Sequence, residues 1–422
     1  MQQLIKNVQI VDPASPHHLS VVDLRIELGK ITAIAPSIPA TEQDQVIEAT
    51  GKSISTGWID LLAAAGDPGE EYREDLLSLS RAAEKGGFSG LGYMPSTQPA
   101  IQTKADVEYV LNKTAGGKVR FHPLGALTKD RAGKELTEIY DMRNAGAAAF
   151  TDAFHPVKDA GIMLRTLQYV KLFDGTIINI PSDHTIVGNA TINEGTMSTN
   201  LGMYGIPDVL EEIMVERDIK LAEYAGSRLH LACISSARSL EHIRAAKKRG
   251  VRVTASVTPY HLYFDETAVG SYDTTYKVNP PLRTAADVAA LKDAVADGTI
   301  DVITSFHLPY DSDAKECEFE YAAFGMAGIE TCFAAAFTAM AGVADITRLI
   351  ACFTSEPRKV LGLDQVIIQV GSTCPLTLFD TTNQWTVSTS DLLSKGINNP
   401  FIGKTLNGNA IATLNVNPKT NI

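Results

Sequence analysis

Cysteine is scarce and unpatterned in this chain. Its five residues, Cys233, Cys317, Cys332, Cys352 and Cys374, form an odd set with no CxxC spacing. Neither a disulfide framework nor a zinc knuckle is indicated, and the thiols read as small core residues of a cytoplasmic protein. Long apolar runs are also missing: no stretch approaches about 18 uninterrupted apolar residues, which argues against a membrane span. The opening residues, Met1-Gln2-Gln3-Leu4-Ile5-Lys6, lack the charged start and apolar core of a signal peptide. Positive charge is in deficit. Lys and Arg number 37 against 49 Asp and Glu, a formal net charge of −12, which argues against nucleic-acid binding and adhesion to anionic membranes. Any anion site must therefore be built from local Arg, Lys or backbone N–H groups. There is no GxGxxG loop, no GxSxG elbow, no internal repeat and no low-complexity tract.

What is present suits a folded protein with a sizeable core: 45% hydrophobic and 20% charged residues. The length of 422 residues fits one large domain plus a smaller one. Residues 1–55 read as short strands: Leu4–Val11, then Val21–Ile26 and Ile31–Ile34 across Gly29-Lys30, then Val46–Ala49. From Thr56 the texture changes to strand–helix alternation. Apolar runs recur at Trp58–Leu62, Phe88–Met94, Val119–Leu127, Ala147–Phe150, Thr176–Ile180, Arg228–Ile234, Val251–Val257 and Asp301–Ser305. Helical patterns lie between them, including Lys104–Lys113, Lys134–Ala145 and Ala237–Lys248. Eight such pairs predict an α/β fold of the (β/α)8 TIM-barrel type over residues 56–364. The rival doubly wound sheet would normally carry a Gly-rich loop after its first strand, and Thr56–Gly69 has none. Beyond Leu363 short β runs return at Val366–Ile368, Leu376–Phe379, Gln384–Val387 and Ala410–Val416. Residues 1–55 and 365–422 are expected to share one β module beside the barrel.

In such a barrel the active site lies at the C-terminal strand ends. A metallohydrolase needs His, Asp, Glu or a modified Lys converging there, to hold a cation that lowers the pKa of bound water to about 7. The first strand end offers only Leu62, Ala63 and Ala64. The fourth offers Asp152 and His155, the sixth Cys233, the seventh His261 and the eighth His307. Each has a structural reading: Asp152 as a cap, Cys233 as core, and the histidines as isolated hydrogen-bonded side chains without metal spacing.

Several blocks nevertheless stand out. They are Gly57-Trp58-Ile59-Asp60-Leu61 with Asp67-Pro68-Gly69, Glu71-Tyr72-Arg73-Glu74-Asp75, and Met94-Pro95-Ser96-Thr97-Gln98-Pro99. Further on come Val257-Thr258-Pro259-Tyr260-His261-Leu262, Lys277-Val278-Asn279-Pro280-Pro281-Leu282-Arg283 and Gly328-Ile329-Glu330-Thr331. On these motifs the sequence resembles dihydroorotase, of the cyclic amidohydrolase superfamily, from Leu4 to about Val416. The resemblance implies a (β/α)8 amidohydrolase-like barrel beside a small β-sandwich from both chain ends, and zinc-dependent hydrolysis or closure of the dihydroorotate ring in pyrimidine biosynthesis.

It also implies where the chemistry should be. The family's metal ligand positions fall on Leu62, Ala64, Asp152, Ile180 and Cys233, and its catalytic aspartate falls on Phe306. No metal and no catalytic residue is therefore expected. A vestigial substrate pocket would retain Ser96, Asn279, His307 and Tyr310. The resulting expectation is a pseudoenzyme, of the kind formed by inactive dihydroorotase-like subunits that associate with aspartate transcarbamoylase, in a homo-oligomer. The alternative is an active dihydroorotase or other cyclic amidohydrolase with a rebuilt site.

Overall fold

The computed structural model describes residues 2–183 and 188–414. Strands from the two ends of the chain pair with one another. β1 (Gln2–Ile10), β2 (Val21–Glu27), β3 (Lys30–Ala35), β4 (Asp44–Glu48) and β5 (Ser53–Thr56) come from the start. The barrel strands follow: β6 (Trp58–Ala63), β7 (Phe88–Tyr93), β8 (Arg120–Gly125), β9 (Ala149–Phe150) and β10 (Thr176–Asn179). After a small two-stranded ribbon, β11 (Ile192–Asn193) with β12 (Gly205–Ile206), come β13 (Arg228–Leu231), β14 (Val253–Val257) and β15 (Val302–Ile303). β16 (Leu376–Thr386) and β17 (Thr405–Leu414) join the first group in one seven-stranded sheet, with β5 paired antiparallel to β16.

The eight barrel strands are parallel neighbours in the order β15-β14-β13-β10-β9-β8-β7-β6. All eight coincide with the apolar runs read from the sequence. Helices cover their outer face and packed side chains fill the barrel interior, so the strands are buried on both sides with few polar residues. Local chemistry starts the helices. Asp75 accepts from the Leu77 and Ser78 N–H groups ahead of helix Leu76–Lys85, and Thr103 and Thr284 close capping boxes ahead of Lys104–Lys113 and Ala285–Ala296.

Closure of the barrel is made largely by side chains. The Asp60 carboxylate of β6 is fully buried. It accepts from Thr304 Oγ1 at 2.7 Å, from the Ser305 N–H at 2.8 Å and from the Ser305 hydroxyl. Leu62 N–H donates to Thr304 Oγ1 at 3.0 Å, and Ala64 N–H to the His307 carbonyl at 2.9 Å. The sheet module is locked to the barrel by Trp58. Its indole lies 4.6 Å from the Phe333 ring, 5.7 Å from Phe353 and 5.4 Å from Phe379 on β16, and its N–H donates to Ser55 Oγ.

Some predicted elements differ. The helix expected from Lys134 begins only at Ile139, because the Thr137 hydroxyl binds the Ala126 carbonyl and Leu136 bridges Thr128. Val366–Ile368 is not a strand: the Ile368 N–H donates to Asp12 and its carbonyl accepts from Ser15, so side chains take the ladder's groups. The runs at Leu376 and Gln384 are one strand, irregular between Asp380 and Gln384. The last run belongs to β17, with Asn415 and Val416 outside the described residues. Among the described residues no helix is long and apolar enough to cross a membrane.

Removing the seam carboxylate strands three buried donors. Asp60→Ala should destabilise the fold by about 3–5 kcal/mol in urea denaturation, and the isosteric Asp60→Asn by roughly half as much. Equal, small losses for both variants would show that the seam does not depend on Asp60.

Candidate functional site: the barrel mouth

The strand ends converge on packed side chains. Leu62 ends on the inner side of β6, Ala64 follows it, Ile180 follows β10, Cys233 lies two residues past β13, and Phe306 lies three past β15. All five are buried and belong to one apolar cluster, together with Ala153, Met94 and Leu308. The Phe306 ring stands 5.3 Å from that of Phe154, a residue whose part here was not evident from the sequence. Three of these strand-end residues have left-handed backbones, Ala153 at φ 52°, Cys233 at φ 58° and Phe306 at φ 46°. Such conformations are disfavoured for side chains with a Cβ, and for phenylalanine especially, and they concentrate where a fold holds a functional group in place.

Asp152 is near this cluster in sequence but its bonds lead away from it. It accepts from the Leu127 N–H at 2.8 Å, the Thr128 N–H at 2.9 Å and the Thr128 hydroxyl at 2.5 Å. Burial raises its pKa to about 6 against the pull of those donors. Cys233 is fully buried, and burial, then the Asp60 and Glu211 carboxylates, push its thiol well above the usual range.

The remaining polar group is His307, which is fully buried. Its Nδ1 accepts from the Ile329 N–H at 3.4 Å, and its Nε2 faces Glu74 Oε2 at 3.6 Å without a hydrogen bond. Burial pushes the Glu74 carboxyl up, but His307 and then Ser394 outweigh it and hold the group below the usual carboxylate range. The Ser394 hydroxyl donates to Glu74 Oε2 at 2.5 Å, and the neighbouring Glu330 accepts from Ser394 N–H. Glu74 and Glu330 both stand in the blocks quoted from the sequence. Their meeting with His307 through a loop near residue 394 left no local signal.

The other expected pocket residues are spread around the rim. Tyr310 packs against the apolar cluster, with the Arg73 guanidinium 4.2 Å above its ring. Ser96 is half-buried and its hydroxyl has no hydrogen-bond partner. Asn279 is half-buried beside Val278, a member of the cluster. His261 is structural, bound to Thr258 Oγ1 at 2.9 Å and to the Pro280 carbonyl at 3.1 Å.

Comparisons with known proteins place this geometry. A family model described as Dihydro-orotase-like matches residues 51–239. The dihydroorotase of Pelotomaculum thermopropionicum is 40% identical over 98% of this chain and 97% of its own. The dihydroorotase of Citrifermentans bemidjiense is 38% identical over 98% of both. The chain belongs to the dihydroorotase family. Among solved structures, L-hydantoinase from Arthrobacter aurescens superposes with a TM-score of 0.85 at 24% identity, covering 98% of this chain and 94% of its own. A D-hydantoinase gives 0.83 at 21% over the same shares. These two show the amidohydrolase fold.

For a dihydroorotase-family barrel the resident metal would be zinc, which needs about three protein donors when catalytic. The donors here do not fit that group. Leu62, Ala64 and Ile180 carry none, Cys233 is a single thiol packed among apolar side chains, and Asp152 is occupied by three donors of its own. Among the described residues, no group of three His, Cys, Asp or Glu side chains is placed to hold a metal ion.

Asp152 gives a pH signature. Its carboxyl ionises near 3.8 unfolded and about 6 folded, so the native state holds the proton more tightly between those values. Its stabilisation is full below about pH 4 and is lost as pH rises through 6, by up to about 3 kcal/mol. Urea midpoints measured from pH 4 to pH 7 should show this slope in the native protein and a shallower one in Asp152→Asn. Parallel slopes would mean that Asp152 ionises normally in the fold.

Proposed function

We propose that this chain is a non-catalytic member of the dihydroorotase family, a pseudoenzyme kept for assembly rather than for hydrolysis. The observation that carries the reading is the packing of Leu62, Ala64, Ile180, Cys233 and Phe306 into one buried apolar cluster at the strand ends. Zinc-ligand and acid–base positions in an active member must be polar, partly hydrated and close to substrate. Here Leu62, Ala64, Ile180, Cys233 and Phe306 are buried together and only Asp152, turned to Leu127 and Thr128, keeps a carboxyl, which removes most of the desolvation penalty of a buried ionic site and its chemistry together. The purified protein is expected to retain less than a tenth of an equivalent of zinc after dialysis and to turn over neither dihydroorotate nor carbamoyl aspartate. Stoichiometric zinc with measurable turnover would overturn the proposal.

The same reading assigns a cytoplasmic role in pyrimidine biosynthesis, as a homo-oligomer that supports aspartate transcarbamoylase. Its support is the resemblance to inactive dihydroorotase-like subunits with that partner. Mixed at micromolar concentrations with the aspartate transcarbamoylase of its own organism, the chain should co-elute from a size-exclusion column. Independent elution of the two proteins across that range counts against the partnership.

One observation favours a second reading, an enzyme with a rebuilt site. His307 Nε2 is buried without a hydrogen-bond partner and lies 3.6 Å from Glu74 Oε2, placing an imidazole beside a carboxylate as acid–base catalysis requires. The turnover assay separates the two: activity lost in both His307→Asn and Glu74→Gln would identify that pair as its source.

A further inference from the structure

The opposite end of the barrel holds a cavity of about 600 Å³, within the range of small-molecule sites. It lies where β7 and β8 begin, under the connection from Gly362 to Pro375 that leads into the sheet module. Its charged lining is Lys118, Arg120, Arg358 and a single acid, Asp364, with His122 behind them. We propose that this cavity binds a phosphate-bearing small molecule, held between the guanidinium groups of Arg120 and Arg358.

The argument starts from unused donors. Arg120 is exposed to the cavity, and its side chain makes no hydrogen bond or ion pair among the described residues. Arg358, on helix Ser355–Leu361, is half-buried. Among the described residues its Nε is buried with no partner, and the side chain's only hydrogen bond is a long one, 3.5 Å, from Nη1 to the Asp364 carbonyl. Lys118 at the edge shares its charge with Glu84. In a chain with net charge −12, two guanidinium groups facing one cavity without a carboxylate partner are unusual company. Arg358 is held below the usual range by burial and, against the opposing pull of Cys374, by Arg120. The buried His122 is held neutral, its pKa lowered to about 3 by burial and then by both arginines. An anion would offset both effects. Planar guanidinium forks match the spacing of phosphate oxygens and bind them two at a time. The hydroxyls of Ser372 and Thr373 on the connection add neutral donors.

This site is remote from the apolar mouth, so the inference stands whether or not the chain is catalytic. Isothermal titration with pyrophosphate, ADP and adenosine tests it. Pyrophosphate and ADP should bind saturably and adenosine should not. Binding should weaken at least tenfold in Arg358→Gln and in Arg120→Gln, and the His122 ring resonances should shift on titration. Arg120→Gln sits on an exposed side chain and keeps the fold testable if Arg358→Gln unfolds. Tighter binding of ADP than of pyrophosphate identifies a nucleotide as the source of the phosphate, and equal binding identifies a free polyphosphate. No saturable binding of either anion, or binding unchanged in Arg120→Gln, overturns the proposal.

Discussion

The buried carboxylate of Asp60 is the interaction on which the rest of the barrel depends. A closed barrel must join its last strand to its first, and here β15 contributes only two residues to a ladder, paired with β14. The remaining join is made by Thr304 and Ser305 donating to Asp60, with Leu62 N–H donating to Thr304 and Ala64 N–H to the His307 carbonyl. A charge at full burial is tolerable only when its lone pairs are filled. The chain after Ser305 is thereby held in one place, and the left-handed turn at Phe306 sends that ring inward to Phe154 while His307 meets Glu74. The filling of the mouth follows from the way the seam is tied.

The seam is also independent of the strand-end cluster. The side chains that close the barrel are distinct from Leu62, Ala64, Ile180, Cys233 and Phe306. Leu62 and Ala64 serve the seam through backbone groups rather than side chains. A change of side chain there leaves those bonds intact. The left-handed backbone at Ala153, Cys233 and Phe306 persists around residues that have no polar group to aim.

Legibility in the sequence followed the range of the interactions. The barrel strands were readable because burial on both faces makes each mostly apolar, and Ala237–Lys248 because Ser236 caps it within two residues. Asp152, expected as a cap, instead binds Leu127 and Thr128 at the end of a neighbouring strand, contacts that its local sequence does not show. The misread stretches are those where a distant side chain takes the backbone's hydrogen bonds: Asp12 and Ser15 reach Ile368 across the sheet module. The pairing of Glu74 with His307 and Ser394 is of this kind, three segments brought together only by the closed fold. The basic cavity at the barrel floor was equally silent, because Arg120 and Arg358 belong to no local pattern.

The Trp58 contacts bear on the order in which the molecule can be made. The Trp58 N–H donates to Thr377, 319 positions later in the chain, and its ring packs on Phe379 of the same strand. During synthesis β1 to β5 emerge long before β16 and β17 exist. Until then an edge of the first sheet strands and the indole at the barrel floor lack their partners. The final strands therefore act as a completion signal: only a fully translated chain can bury both, and a chain truncated before Leu376 exposes the surface that quality-control factors recognise.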